Sequence, residues 1–298
     1  MKRLLIPLFF VCLLLPSAAL AEDNLAALES AIQAPDTVQP GLQSYRAVVQ
    51  TERIASTIAS MTAGMPADMA RPQPPTVVKY WRRGTARSLI AAEGAQASPF
   101  MQQMVERVSA SLAIDPEELL MPPGKAAERQ RLVGAGTVRS TVTDLADSVL
   151  QRVEIRFPVP TDIGDSFYGS GLRLPQKGIS RLQFDIEVKN RAVRELTIET
   201  GAGELLLAEF RYRQTTGGQL PEKMRVTSPD GKVDDRLEIT FIEAGGYLLP
   251  AKVVRILNRP GLQDNLEVTF SDYRVNQPFP AEIEAQLAVA GKPGAKTP

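Results

Sequence analysis

The C-terminal part of the chain alternates apolar and polar positions with a period of two. In LQFDIEV (182–188), Leu182, Phe184, Ile186 and Val188 fall on one face, and Gln183, Asp185 and Glu187 on the other. The pattern recurs over 193–199 and over 204–213, where Leu206, Ala208, Phe210 and Tyr212 share a face. Met224 with Val226, then Leu237, Ile239 and Phe241, then Leu249, Ala251 and Val253, then Leu266, Val268 and Phe270 mark further strands. Pro229-Asp230-Gly231, Gly245-Gly246 and residues 258–261 supply turns between them. Period-two runs broken by such turns predict an antiparallel meander.

The N-terminal half is less regular. Leu25, Leu28 and Ile32 lie at helical spacing and predict a short amphipathic helix over 24–33. Residues 42–54 read as a strand, 58–75 as a loop rich in proline, and 76–84 and 85–94 as two strands joined at Gly84. Ser98 and Pro99 suit the start of a helix whose apolar face carries Phe100, Met101, Met104, Val105, Val108 and Leu112. Residues 113–136 read as a helical hairpin or long loop, 137–157 lean toward strand, and 158–178 read as loop. Residues 281–298 are rich in Ala, Lys and Pro and read as a frayed, flexible tail.

These elements add up to an α+β fold, mainly β: a curved antiparallel sheet, or half-barrel, covered on its concave face by a few helices. The apolar face of such a sheet must be covered, because several strands of exposed apolar side chains are costly and adhesive. The helices at 24–33 and 98–112 are the available cover. Closure of this kind leaves either a packed core or a cavity, and the pattern alone allows both.

Composition narrows the function classes. Lys2 and Arg3, the apolar run Leu4 to Leu15 and Ala19-Leu20-Ala21 read as a signal peptide over 1–21, cleaved after Ala21, for export to the periplasm. The expected layout is then one domain over 22–280, with an insertion at 95–178, and the tail. No later stretch is long and apolar enough for a membrane helix. Loss of Lys2 and Arg3 leaves 32 basic against 34 acidic residues, a net charge of about −2 and no basic excess of the kind nucleic-acid binding requires. Cys12 is the only cysteine, so the processed chain has no disulfides. Histidine is absent, which excludes histidine-dependent hydrolysis and histidine-ligated metals.

The densest carboxylates are Asp234 with Asp235, Glu117 with Glu118, and Asp185 with Glu187. A glycosidase pair needs two carboxylates facing each other across a cleft, whereas these sit in turns or on a polar strand face. No phosphate loop, dinucleotide fingerprint or nucleophile elbow is present. The expectation is no enzyme, no cofactor and no metal site.

YLLPAKVVRIL (247–257), a turn, and LEVTFSDYRVNQPFP (266–280) resemble the closing strand pair of the periplasmic lipoprotein-carrier superfamily, the LolA/LolB-like half-barrels. LPEKMRVTSPDGK (220–232) resembles the preceding strand, and LQSYRAVV (42–49) and KYWRRG (79–84) the first two strands. The match is best over 200–280. The resemblance implies a non-enzymatic carrier whose partners are lipid acyl chains or lipoproteins. The apolar cavity would then be lined by Leu182, Phe184, Ile186, Leu206, Phe210, Tyr212, Ile239, Phe241, Val268 and Phe270, with Phe100, Met101, Met104 and Val108 as a lid. In these carriers a cavity arginine helps hold the lid shut, and Arg46, Arg82, Arg83 and Arg87 lie in the corresponding early strands. The competing reading is that the same aromatics pack a dry core. The protein is then a protein–protein or sensor module of the cell envelope, with Trp81 and the 95–136 segment as its contact surface.

Overall fold

The computed structural model describes residues 28–29, 32, 35–63, 75–84, 88–94, 105, 112, 114–116, 119–122, 124–145 and 148–290. Within them, twelve strands form one antiparallel sheet: β1 (Ser44–Gln50), β2 (Thr76–Arg82), β3 (Leu89–Glu93), β4 (Thr137–Leu145), β5 (Ser148–Thr161), β6 (Ile179–Glu187), β7 (Ala192–Thr200), β8 (Leu205–Gln214), β9 (Gln219–Thr227), β10 (Asp234–Ala244), β11 (Tyr247–Arg259) and β12 (Leu262–Val275). The helices are α1 (Pro35–Val38), α2 (Glu52–Thr62), α3 (Ala126–Ala135) and α4 (Ala281–Ala290).

The strand order is β3-β2-β1-β12-β11-β10-β9-β8-β7-β6-β5-β4. Strands β4 to β12 form a simple meander, and β12 then pairs with β1, so the end of the chain closes onto its beginning. The sheet does not close into a barrel; β3 and β4 are its edges. Gly245 and Gly246 both have positive φ, 60° and 83°, the backbone that a tight β10–β11 hairpin demands.

The period-two pattern translates into burial over most of the sheet; Val188, read as an inward position, lies beyond β6 and is 42% exposed. Inner-face side chains from β3 to β5 join one continuous apolar cluster, which also takes in Leu28, Ile32, Val105, Leu112, Ile114, Leu119, Phe167 and Leu172 from the segments that cover the sheet. A fully buried Leu, Ile or Phe in such a cluster contributes about 1.5–3 kcal/mol. The outer face carries cross-strand ion pairs instead, among them Arg152–Asp185, Arg181–Glu199, Arg213–Glu222 and Lys252–Glu267.

Four other sequence expectations need correction. The strand read over 42–54 stops at Gln50, because the Thr51 hydroxyl accepts from the Arg53 amide and caps α2. That helix takes in residues 58–62, the start of the stretch read as loop. The strand lean read over 137–157 is β4 and β5, but β5 runs on to Thr161 into the stretch read as loop and pairs with β6, so the insertion read over 95–178 is in part sheet. Finally, the tail read over 281–298 begins with α4, which packs on the outer face of β2. Strand β2 is apolar on both faces; Val77 and Trp81 point inward, while Val78 and Tyr80 point outward and require their own cover. Phe279, Ile283 and Leu287 provide it, with the Phe279 ring edge-on to Tyr80 at 5.1 Å.

Candidate functional site

Register brings the candidate cavity residues onto the inner face. Phe184 lies between Val153 and Leu196, Leu206 opposite Ile198, Phe210 opposite Met224, Val268 opposite Val253, and Phe270 opposite Val49. Leu182, Phe184, Ile186, Leu206, Phe210, Ile239, Val268 and Phe270 are buried in a single cluster, and Tyr212 and Phe241 pack against it partly buried. In this conformation the ten side chains are packed together under the covering segments. The Phe167 ring, from the irregular stretch after β5, sits 6.2 Å from the Phe184 ring. The Tyr212 hydroxyl donates to the Val193 carbonyl at 2.6 Å, and burial pushes its phenol well above the ordinary range. Tyr212 also lines a pocket of about 50 Å³ with Ile32, Val38, Leu120 and Leu220, room for a few waters.

Among the described residues a charged fastening lies on the inner face at β2. Lys79 projects inward from β2 between Val77 and Trp81, its side chain 0% exposed. It pairs with Asp115, 2% exposed, and donates to the Ile114 carbonyl at 3.2 Å. Asp115 also accepts from the Tyr45 hydroxyl at 3.1 Å and the Ser88 hydroxyl at 2.8 Å. The Lys79 ammonium lies 5.3 Å from the Phe270 ring centroid and 5.9 Å from that of Tyr45. Tyr45 in turn stacks on Trp81 at 5.2 Å. One polar cluster therefore ties β1, β2 and Ser88 to residues 114–115 of the cover. Sequence reasoning passed over Lys79, although a single lysine inside the apolar stretch Val77–Trp81 is a visible signal.

The early-strand arginines do not take that place. Arg46 pairs with Glu93 at 2.5 Å, Arg82 pairs with Glu284 of α4, and Arg83 donates to the Leu42 and Gln39 carbonyls at 2.6 and 2.9 Å. Arg87 lies outside the described residues, as do the lid candidates Phe100, Met101, Met104 and Val108. Their neighbours Val105 and Leu112 are buried in the inner-face cluster. The Arg129 guanidinium on α3 donates to the Pro122 and Ser166 carbonyls at 2.9 and 3.0 Å, tying residue 122 to the stretch after β5. Trp81 is 3% exposed beneath this cover, which removes it from any contact surface.

The carboxylates serve ion pairs. Asp185 accepts from Arg152 at 2.7 and 2.6 Å, Asp234 from Arg225 and Arg236, both at 2.8 Å, and Asp235 from Arg259. Glu187 pairs with Arg194, whereas Glu117 and Glu118 lie outside the described residues. Among the described residues no three His, Cys, Asp or Glu side chains group as metal ligands, and no helix is long and apolar enough to cross a membrane.

No family model and no curated protein matches the chain. Among solved structures it is similar to a Vibrio parahaemolyticus domain named for outer membrane lipoprotein sorting, at 9% identity and TM-score 0.36, over 91% of this chain and 100% of that one. It is similar to a LolA superfamily protein from Nitrosomonas europaea at 10% identity and TM-score 0.32, over 88% and 96% of the two chains. It is also similar to a DUF1329 family protein from Desulfovibrio piger at 9% identity and TM-score 0.31, over 89% and 96%.

Proposed function

We propose that this chain is an exported, non-enzymatic binding protein of the periplasm that holds the acyl chains of a lipid or a lipidated protein against the inner face of its sheet. The buried Lys79–Asp115 pair carries this reading. An apolar face is fastened to its cover by a charge pair where more apolar packing would serve stability equally well. A charge pair suits a cover that must come off, because both ions regain hydration when it opens. The leader-like residues 1–21 and the carrier-like strands at 247–280 support the same reading.

The packed arrangement of the ten inner-face residues is then the closed, ligand-free state. Acyl chains enter by displacing the cover, and each methylene they bury contributes about 0.8 kcal/mol. Phe100, Met101, Met104 and Val108, the lid expected from the sequence, are in this reading the residues that meet the chains, methionine adapting readily to variable ligands.

Native mass spectrometry of the mature protein from its own envelope, followed by lipid extraction, tests the proposal. A bound lipid or acylated peptide is expected, and the folded Phe184→Asp or Phe210→Asp variant should lose it. Retained uptake by a folded variant would remove these residues from the site. A second reading, an envelope interaction module with a permanently filled core, is favoured by the dense packing of the same ten side chains. A clean apo mass with no uptake of added phospholipid or acyl peptide would select it.

A further inference from the structure

Three guanidinium groups and two carboxylates meet where β10, β11 and β12 present their inner face beside α2, within reach of the charge of Arg173. Register places Arg255 between Leu237 and Leu266, both buried, in an otherwise apolar row. Arg255 is 2% exposed. Its Nε and Nη1 are buried with no hydrogen-bond partner, and its Nη2 stands 3.7 Å from Asp264 Oδ2, beyond hydrogen-bond reach. Both nearby carboxylates are held by other groups. Arg53 of α2 donates to Asp264, while Arg259 and the Asn258 amide donate to Asp235 at 2.5 and 2.8 Å. The Arg259 Nη2 also donates to the Arg173 carbonyl at 2.9 Å, and the charge of the exposed Arg173 acts on Arg255. Burial first, then the charges of Arg173 and Arg53, push the Arg255 guanidinium down to about 10, against the pull of Asp264 and Asp235.

A buried cation without hydrogen bonds is costly, and an aliphatic residue would pack between Leu237 and Leu266 without that cost. The excess of positive charge and the free donors call for an anion. We propose that Arg255, aided by the charge of Arg173, binds a phosphate group, whose oxygens match the planar fork of a guanidinium. Free phosphate and the headgroup of a phospholipid offer the same chemistry. The proposal does not rest on the acyl-chain reading, since inorganic phosphate needs only the arginines.

The test is thermal unfolding of the mature chain in sodium phosphate against sodium chloride of equal ionic strength, and with short-chain phosphatidic acid against short-chain diacylglycerol. Either phosphate-bearing ligand should raise the midpoint of the wild type beyond its control. In Arg255→Met the shift should vanish and affinity should fall about tenfold or more, while the midpoint in chloride stays the same or rises. A shift with inorganic phosphate identifies free phosphate as sufficient; a shift with phosphatidic acid alone identifies the headgroup. Absence of both shifts in the wild type, or an equal shift in Arg255→Met, overturns the proposal. Arg173→Asn, an exposed change that suits the left-handed backbone there (φ 55°), is the second variant. It should fold as the wild type does and bind more weakly, and undiminished affinity overturns the proposal as well. Diacylglycerol uptake independent of Arg255 would leave the acyl-chain reading standing alone.

Discussion

Lys79 and Asp115 form an ion pair in which both side chains are buried, and the pair joins the first strand pair of the sheet to the segment that covers it. Removing one partner strands a buried charge, whereas removing both leaves only neutral groups. Lys79→Met alone should cost about 3–5 kcal/mol of unfolding free energy, and Asp115→Asn alone a similar amount. The double variant should lose less than the sum of the two. Urea unfolding of the three variants measures the coupling. Strictly additive losses would mean that the two side chains do not act as a pair.

The same cluster shows what was legible in the sequence and what was not. The meander from β6 to β12 was readable because most inner-face residues alternate with polar ones, and the structure buries most of that face. The closing motif was readable as a resemblance, and its residues have mechanical roles. The Tyr273 hydroxyl donates to the Pro250 carbonyl, so the tyrosine of YRVN is tied to the proline of YLLP. Strand β4 read only as part of a strand-leaning stretch over 137–157, because TVRSTVTDL is largely exposed on both faces and has no period-two contrast. Helix α4 was hidden for another reason. Its partner is the outer side of Val78 and Tyr80, and only the assembled sheet shows that β2 is apolar on two faces. Lys79 was overlooked because its counter-ion lies in a segment that has no periodic pattern of its own.

Asn276 has the most concentrated role in the closing motif. Its Oδ1 accepts from the Gln43 and Ser44 amides at 2.8 and 3.1 Å, its Nδ2 donates to the Gly41 carbonyl at 2.9 Å, and its own amide donates to the Ser44 carbonyl at 2.8 Å. Its φ is 53°, a conformation that asparagine tolerates better than most residues. Asn276→Ala loses the side-chain bonds and retains the backbone strain, for an expected cost of about 2–3 kcal/mol. Asn276→Gly loses the same bonds but relieves the strain, so its cost should be smaller. Denaturant midpoints of the two variants check the order, and an Ala variant as stable as the Gly variant would rule out the strain component.

The outer-face ion pairs make a pH prediction. The Arg236 and Arg225 guanidiniums beside Asp234 hold its carboxyl down to about 2, below the unfolded value of about 3.9. A carboxylate depressed in the folded state stabilises the fold above its unfolded pKa. That contribution is lost as pH falls from about 4 toward 2. Stability should therefore decline over this window, and Asp234→Asn should make the decline shallower without altering the neutral-pH fold. Unfolding free energies across the window decide it. An identical slope in the variant would exclude Asp234 as a contributor.

Helix α4 rests on the sheet through a cluster separate from the inner-face core. Leu287 is 1% exposed against Val78, Tyr80, Phe279 and Ile283, and the Arg82–Glu284 pair closes the same contact. Because the two clusters lie on opposite faces of β2, α4 can detach while the inner face stays packed. Leu287→Glu places a charge in the smaller cluster and should release α4 without unfolding the sheet. Hydrogen exchange should then show residues 281–290 losing protection while the amides of β8 to β10 keep theirs, and the newly exposed Val78 and Tyr80 should bind an apolar dye. Loss of protection in β8 to β10 in step with α4 would mean that the helix supports the whole fold, and the separation of the two clusters would then have no energetic consequence.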